Sequence, residues 1–145
     1  MLYTGWMGRD RFVRLAEEFA TRDRELLPRI APLRDACERL RSVAVAAVEA
    51  FAETARSRGM PHLSDLVVDP VEPDEKHVDC LQVRVRRGRW EGVVVAKSKG
   101  KVTLVGPFRR GYDEKPCRDF ALTGAEVETG VEDLVEELIR RAMER

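Results

Sequence analysis

Aromatic residues make up only 6% of this 145-residue chain. Proteins that read single-stranded nucleic acid stack bases on interleaved aromatics, so this scarcity counts against that use. Cysteine is also sparse. Cys37, Cys80 and Cys117 are odd in number and follow no framework spacing. That excludes a disulfide scaffold and points to reduced thiols in a cytoplasmic setting. Long apolar runs are missing. The longest, 43–52, is broken by Glu49, and ten residues fall well short of the ~20 that span a bilayer core. Residues 1–10 show no basic stretch leading into an apolar one, so no signal peptide is expected. Neither sign of charge is in excess, with 26 Lys plus Arg against 26 Asp plus Glu. Net charge therefore directs the chain to neither nucleic acid nor membrane. Lysine is rare beside arginine, 5 against 21. With abundant Ala and Val, this is the bias of a GC-rich bacterial genome and has no functional content.

What is present is a foldable chain. Hydrophobic residues are 43% and charged residues 36%, which excludes disorder and collagen-like repeats. A chain of this length buries roughly two thirds of its unfolded surface, so a single α+β domain over 1–145 needs no staples.

The helical part is expected over 1–58. Phe12, Leu15, Ala16, Phe19 and Leu26 recur at helical spacing, predicting a helix over 9–27. Pro28 and Pro32 interrupt it, because proline lacks the amide donor and clashes one turn back. A second helix over 32–58 keeps the period through Leu33, Cys37, Leu40, Ala44, Val48 and Ala55, and Gly59 with Pro61 stops it. The two helices should form an antiparallel pair joined at 28–31. Within the second, 43–48 is apolar on every side. Such a segment is covered on every side, either inside the monomer or by a second copy in a homodimer through 32–58.

Residues 59–76, with Pro61, Pro70, Pro73 and several acids, read as a linker; Leu66, Val67 and Val68 in it suit a short edge strand. Over 77–122 the period becomes two. Leu81, Val83 and Val85 alternate with polar neighbours, 90–97 and 102–105 flank a glycine turn, and 117–122 ends the set. Gly106 and Pro107 should end the third of these strands, leaving 108–116 as a polar loop. An antiparallel meander of four or five strands follows. Thr129 and Glu132 have the spacing of a capping box, opening a last helix over 129–145. Its stripe, Val131, Leu134, Val135, Leu138 and Ile139, should lie across the sheet.

Chemistry is harder to find. His62, His77, Cys80, Cys117 and Asp79 are the available metal-ligand types. No paired-cysteine or paired-histidine spacing links them, and in a strand His77 and Asp79 point opposite to Cys80. No metal or cofactor is expected. A nucleophilic cysteine needs a depressed pKa and a base. Cationic neighbours of Cys80 and Cys117 would favour a thiolate, yet no histidine is tied to either. Gly106 to Gly111 lacks the Gly-Lys-Ser/Thr ending and the helix of a phosphate loop. Ser42, Ser57, Ser64 and Ser98 stand in no nucleophile elbow, and the acidic pairs fall on helix surfaces or in the linker.

One pattern stands above background. Residues 76–118 carry a net charge of +8, while 1–75 carry −3 and 119–145 carry −5. Arg84, Arg86, Arg89, Lys97 and Lys101 fall mainly at positions that alternate with the apolar set, which predicts a basic outer sheet face. Trp90 and Lys99 complete the candidate site. Such a face is either solvated surface matched by the acidic segments, a site for an acidic protein, or a site for nucleic acid. The leading expectation is a non-enzymatic cytoplasmic interaction module, adaptor or chaperone-like, with a nucleic-acid-binding module as the alternative.

Overall fold

The prolines at 28 and 32 do not end the first helix. In the computed structural model, α1 spans Leu2–Ser57 without interruption. The structure describes residues 2–74, 79–111 and 114–144, with side chains omitted at 2–7, 23 and 26–30. The expected connection at 28–31, and with it the antiparallel pair, is therefore absent. Each proline deletes one helical donor at a cost of roughly 3 kcal/mol. Four residues apart, the two fall on one side of the helix, where long helical runs to either side carry the chain past them. Two helices do precede the sheet, but the division lies later: α1 is followed by a 3-10 turn over Pro61–Ser64.

The chain divides at Pro32/Leu33 into two compact units. In the first, residues 8–25 are helical and mostly exposed, held by one-turn ion pairs from Arg14 to Asp10 at 2.7 Å and from Arg22 to Glu18 at 2.8 Å.

The second unit holds the core. Its strands are β1 (Val67–Val68), β2 (Glu72–Pro73), β3 (Cys80–Arg87), β4 (Trp90–Lys97), β5 (Lys101–Arg109) and β6 (Cys117–Ala121). The order is β1-β3-β4-β5-β6, all antiparallel, with β2 also pairing β3. The four long strands form the expected meander. The edge strand expected around 66–68 is β1, paired with Val85 and Arg86. The acidic segment read as a linker thus belongs to the sheet.

α2 covers Ala125–Met143. It starts four residues before Thr129, so the expected capping box does not form; Gly124 precedes it at φ 117° with no side-chain cap bond. The earlier start brings Val127 into the core, 1% exposed, one turn ahead of Val131. Burying a valine is worth ~1.5–3 kcal/mol, more than the ~1 of a typical cap. Glu126 and Glu128 in the first turn meet the helix dipole instead.

Leu33, Cys37, Leu40, Ala44 and Val48 of α1 join Val131, Leu134, Val135 and Leu138 of α2 in one cluster. It is completed by Leu81, Val83, Val85, Val94, Ala96, Val102 and Leu104 of the sheet. The run 43–48 is covered on one side only. Ala44 and Val48 are buried, Val43, Val45 and Ala47 are half-buried, and Ala46 is exposed. Complete cover within the monomer is therefore not what the structure has. Short side chains at 44, 46 and 47, rather than an all-round packing environment, make this stretch read as apolar.

Two glycines set how closely α2 approaches. A Cβ on Gly92 of β4 would meet Leu134 at 3.0–3.2 Å, and one on Gly130 would meet Phe120 at 2.8 Å. Gly92→Val, a change that strand propensity alone favours, should therefore destabilise by roughly 1–3 kcal/mol through overpacking. Leu138→Ala should cost roughly 2–5 kcal/mol, since Leu138 is wholly buried. Urea titration reads both. A stabilised Gly92→Val would show that the helix can back away from the sheet.

Candidate interaction surface on the open sheet face

Strand register assigns the residues of the face away from the helices. Paired positions share a face, so Gln82, Val95, Thr103 and Asp119 form one row, and Arg84, Val93, Val105 and Cys117 the next. Cys80, Lys97, Lys101 and Ala121 form the row at one end, and Arg86, Glu91 and Phe108 that at the other.

Phe108 reaches this face through an irregularity. β5 does not end at 105 but continues to Arg109, and the register against β4 slips between Glu91 and Val93. Gly106 lies at φ 104°, and a Cβ there would stand 2.9 Å from the Glu91 carbonyl. Only glycine fits at that bulge. The polar loop expected over 108–116 therefore begins later, and Phe108 is a buried strand residue. Lys115 lies over its ring, 4.8 Å from the centroid.

Val93, Val95, Val105 and Phe108 floor a shallow concavity of about 390 Å³, bordered by Asp74, Gln82, Arg84, Glu91 and Lys115. The apolar floor is the part that sequence reasoning missed. Its signal was present in Val93, Val94 and Val95, three successive valines that must supply both faces of one strand.

The expected basic residues do not act as one group. Arg84 donates to Glu72, with Nε at 2.9 Å, and Arg86 donates through Nε and Nη2 to the two oxygens of Asp69 at 3.1 and 3.2 Å. These bonds raise both guanidinium pKa values further, chiefly through the hydrogen bond to the carboxylate. Arg87 bonds Asp65 at 2.7 Å. Acids at 65, 69 and 72 thus step along β3 against its arginines and tie β1 and β2 to the edge. Arg89 sits exposed in the β3–β4 turn, at the opposite end of β4 from Lys99. Trp90 faces inward and packs against the core, with Arg109 over its ring at 5.9 Å. Lys97 and Lys101 stand directly opposite each other across β4 and β5. Like charges so placed repel, and among the described residues neither has an ion-pair partner, nor does Lys99 or Arg89.

The thiols are dispersed. Cys37 is fully buried, and burial pushes its pKa from 9.0 up to about 12. Cys80 is also raised, by partial burial first and then by Asp74, although Lys97 opposes this. The nearby cation therefore does not favour a thiolate there. Cys117 is exposed, its thiol donating to the Lys115 carbonyl at 3.4 Å. Cys80 and Cys117 lie on strands separated by both β4 and β5, too far apart to share a metal or form a disulfide. His62 is exposed in the 3-10 turn, and His77 lies outside the described residues. Among the described residues no group of three or more His, Cys, Asp or Glu is placed to hold a metal ion, and no helix is long and apolar enough to cross a membrane.

A thiol reagent should label Cys117 first, Cys80 more slowly, and Cys37 only on unfolding, as mass spectrometry of the native protein would read. Cys37 also makes a pH-dependent contribution. Its folded pKa lies above the unfolded value, so the stability tied to the neutral thiol is complete below about 9 and is lost as pH rises toward about 12. Cys37→Ala should flatten that alkaline decline in urea titrations across the same window. An unchanged slope would mean that other groups produce it.

Compared with known proteins, the chain matches no family model, no curated protein and no solved structure.

Proposed function

We propose that this protein is a non-enzymatic interaction module, an adaptor, that receives an acidic protein segment on its open sheet face. The observation carrying this reading is the concavity floored by Val93, Val95, Val105 and Phe108, of which Val95 and Val105 are half-buried, with Arg84 and Lys115 beside Asp74 and Glu91 on its border. Burial of such a floor supplies affinity. Lys115 on the border of the floor, with Lys97 and Lys101 in the row at one end of the same face, supplies direction, because cations near an apolar centre select carboxylates and speed encounter. The matching partner is a segment that alternates acidic and apolar side chains. Arg84 and Arg86 contribute less than their number suggests, since Glu72 and Asp69 already accept their hydrogen bonds. A cytoplasmic location belongs to the same proposal and is supported only by the reduced, unpaired thiols.

Displayed peptides test it. The wild type should enrich sequences mixing Asp or Glu with Val or Phe, and Lys97→Glu/Lys99→Glu/Lys101→Glu should lose that enrichment while melting normally. Asp69→Asn/Glu72→Gln should bind the same peptides more tightly, because it releases two guanidinium groups from internal carboxylates. Binding to a random oligonucleotide that weakens with log salt at a slope near −0.7 to −0.9 per phosphate would instead favour a nucleic-acid module. Absence of both would leave the face as ordinary solvated surface.

A further inference from the structure

We infer that this chain self-associates: residues 9–22 of one copy dock into a groove in the 33–145 unit of another. This is a different surface from the sheet face proposed above and does not depend on that reading. The first half of the evidence is a ridge. Phe12, Leu15 and Phe19 are 61%, 42% and 54% exposed. At 3.6 residues per turn they lie on one side of the helix, with Ala16 between them. Arg9, Arg11 and Arg22 flank the stripe within about a quarter turn on its two sides. Arg11 and Arg22 lie over the rings of Phe12 and Phe19, 5.4 and 5.5 Å from the centroids, with Arg22 also paired to Glu18, so Arg9 and Arg11 are the stronger cations of the ridge. Among the described residues nothing else in its own unit covers the stripe.

The second half is a receptor of the opposite charge. Ala47 and Phe51 of α1 and Val135 and Ile139 of α2 floor a groove of about 540 Å³. Its α2 wall carries Glu132, Asp133 and Glu136, with one cation, Arg140, whose guanidinium lies 3.9 Å from Glu136. An apolar helix ridge flanked by arginines and an apolar groove walled by carboxylates are the two halves of a helix-in-groove contact. Both occur on this one chain.

The area is sufficient. A fully buried phenylalanine removes roughly 200 Å² from water, and the two rings are still more than half exposed. If two copies exchange ridges reciprocally, four rings and the groove walls they cover reach on the order of 1,000 Å², the lower bound for a specific interface. Ridge and groove are different surfaces, so a single head-to-tail contact would leave one of each open, whereas a two-fold exchange pairs both. That exchange closes the contact as a dimer and leaves no ridge uncovered.

Sedimentation velocity of the full chain over a range of concentrations and at two salt levels tests the inference. The wild type should form dimers that dissociate on dilution and more readily at high salt. Phe12→Asp/Phe19→Asp should be monomeric. So should Arg9→Glu/Arg11→Glu/Arg22→Glu on the ridge, and Glu132→Arg/Asp133→Arg/Glu136→Arg on the groove. Mixing the two charge-reversed proteins makes both ridge–groove pairs of each mixed dimer complementary, so mixing should restore the dimer, as should placing both reversals in one chain. The charge variants change exposed side chains only, so the swap remains decisive even if the aspartate variant loses helicity by circular dichroism. A wild type that stays monomeric at every concentration overturns the proposal. So does a dimer that survives groove reversal, or a double reversal that fails to restore association.

Discussion

The close seat of α2 on the inner sheet face is the contact on which the rest of the structure depends. Val127, Val131, Leu134, Val135 and Leu138 are all buried there against β3, β4 and β5. Gly92 and Gly130 remove the side chains that would hold the helix away. Interiors are packed to crystal-like density, so a gap of even one methyl group is felt. This seat explains why α2 begins at 125 rather than at the better capping residue. It also explains why β4 tolerates a glycine in its middle, where strand propensity argues against one.

A second constraint acts on the β3 edge. Three arginines, at 84, 86 and 87, meet three carboxylates, at 72, 69 and 65. Arg41 of α1 donates to the carbonyls of Val68 and Asp69, so the helix grips the same segment. Each exposed ion pair is weak alone. Together they register two very short strands that have little apolar surface of their own. They also blunt an edge that would otherwise offer unpaired backbone groups to other chains. The basic excess of 76–118 is thus partly consumed inside the fold.

What remains outward divides by chemistry. The open sheet face combines valines and a phenylalanine with lysines from the β4–β5 hairpin and residue 115. The α2 surface is acidic, and residues 9–22 present phenylalanines between arginines. A chain with no net charge therefore displays separate surfaces of opposite sign. Such surfaces attract other molecules, and copies of one another, in ways that a neutral total conceals.

Periodicity alone determined the α+β class, the meander, the hairpin at 97–101 and the inner faces of α2 and β3. Spacing of 3.6 or 2 residues states which side chains must be buried together, and burial is the largest favourable term in folding. The placement of Cys37 in the core followed from the same stripe. Other features depended on contacts distant in sequence. Whether Pro28 and Pro32 stop α1 is a balance between two lost donors and the helix on either side. Whether Thr129 caps α2 is a balance between one hydrogen bond and the burial of Val127. Arg84 and Arg86 carry the charge that sequence assigns them, but only strand pairing brings Glu72 and Asp69 against them. Trp90 faces inward by the same alternation as Val94 and Ala96, whereas Phe108 turned outward because of a bulge at Gly106, a slip that no alternating pattern encodes. Sequence specified which residues seek burial or charge, and tertiary structure decided which partners they met, because those energies depend on distance and register.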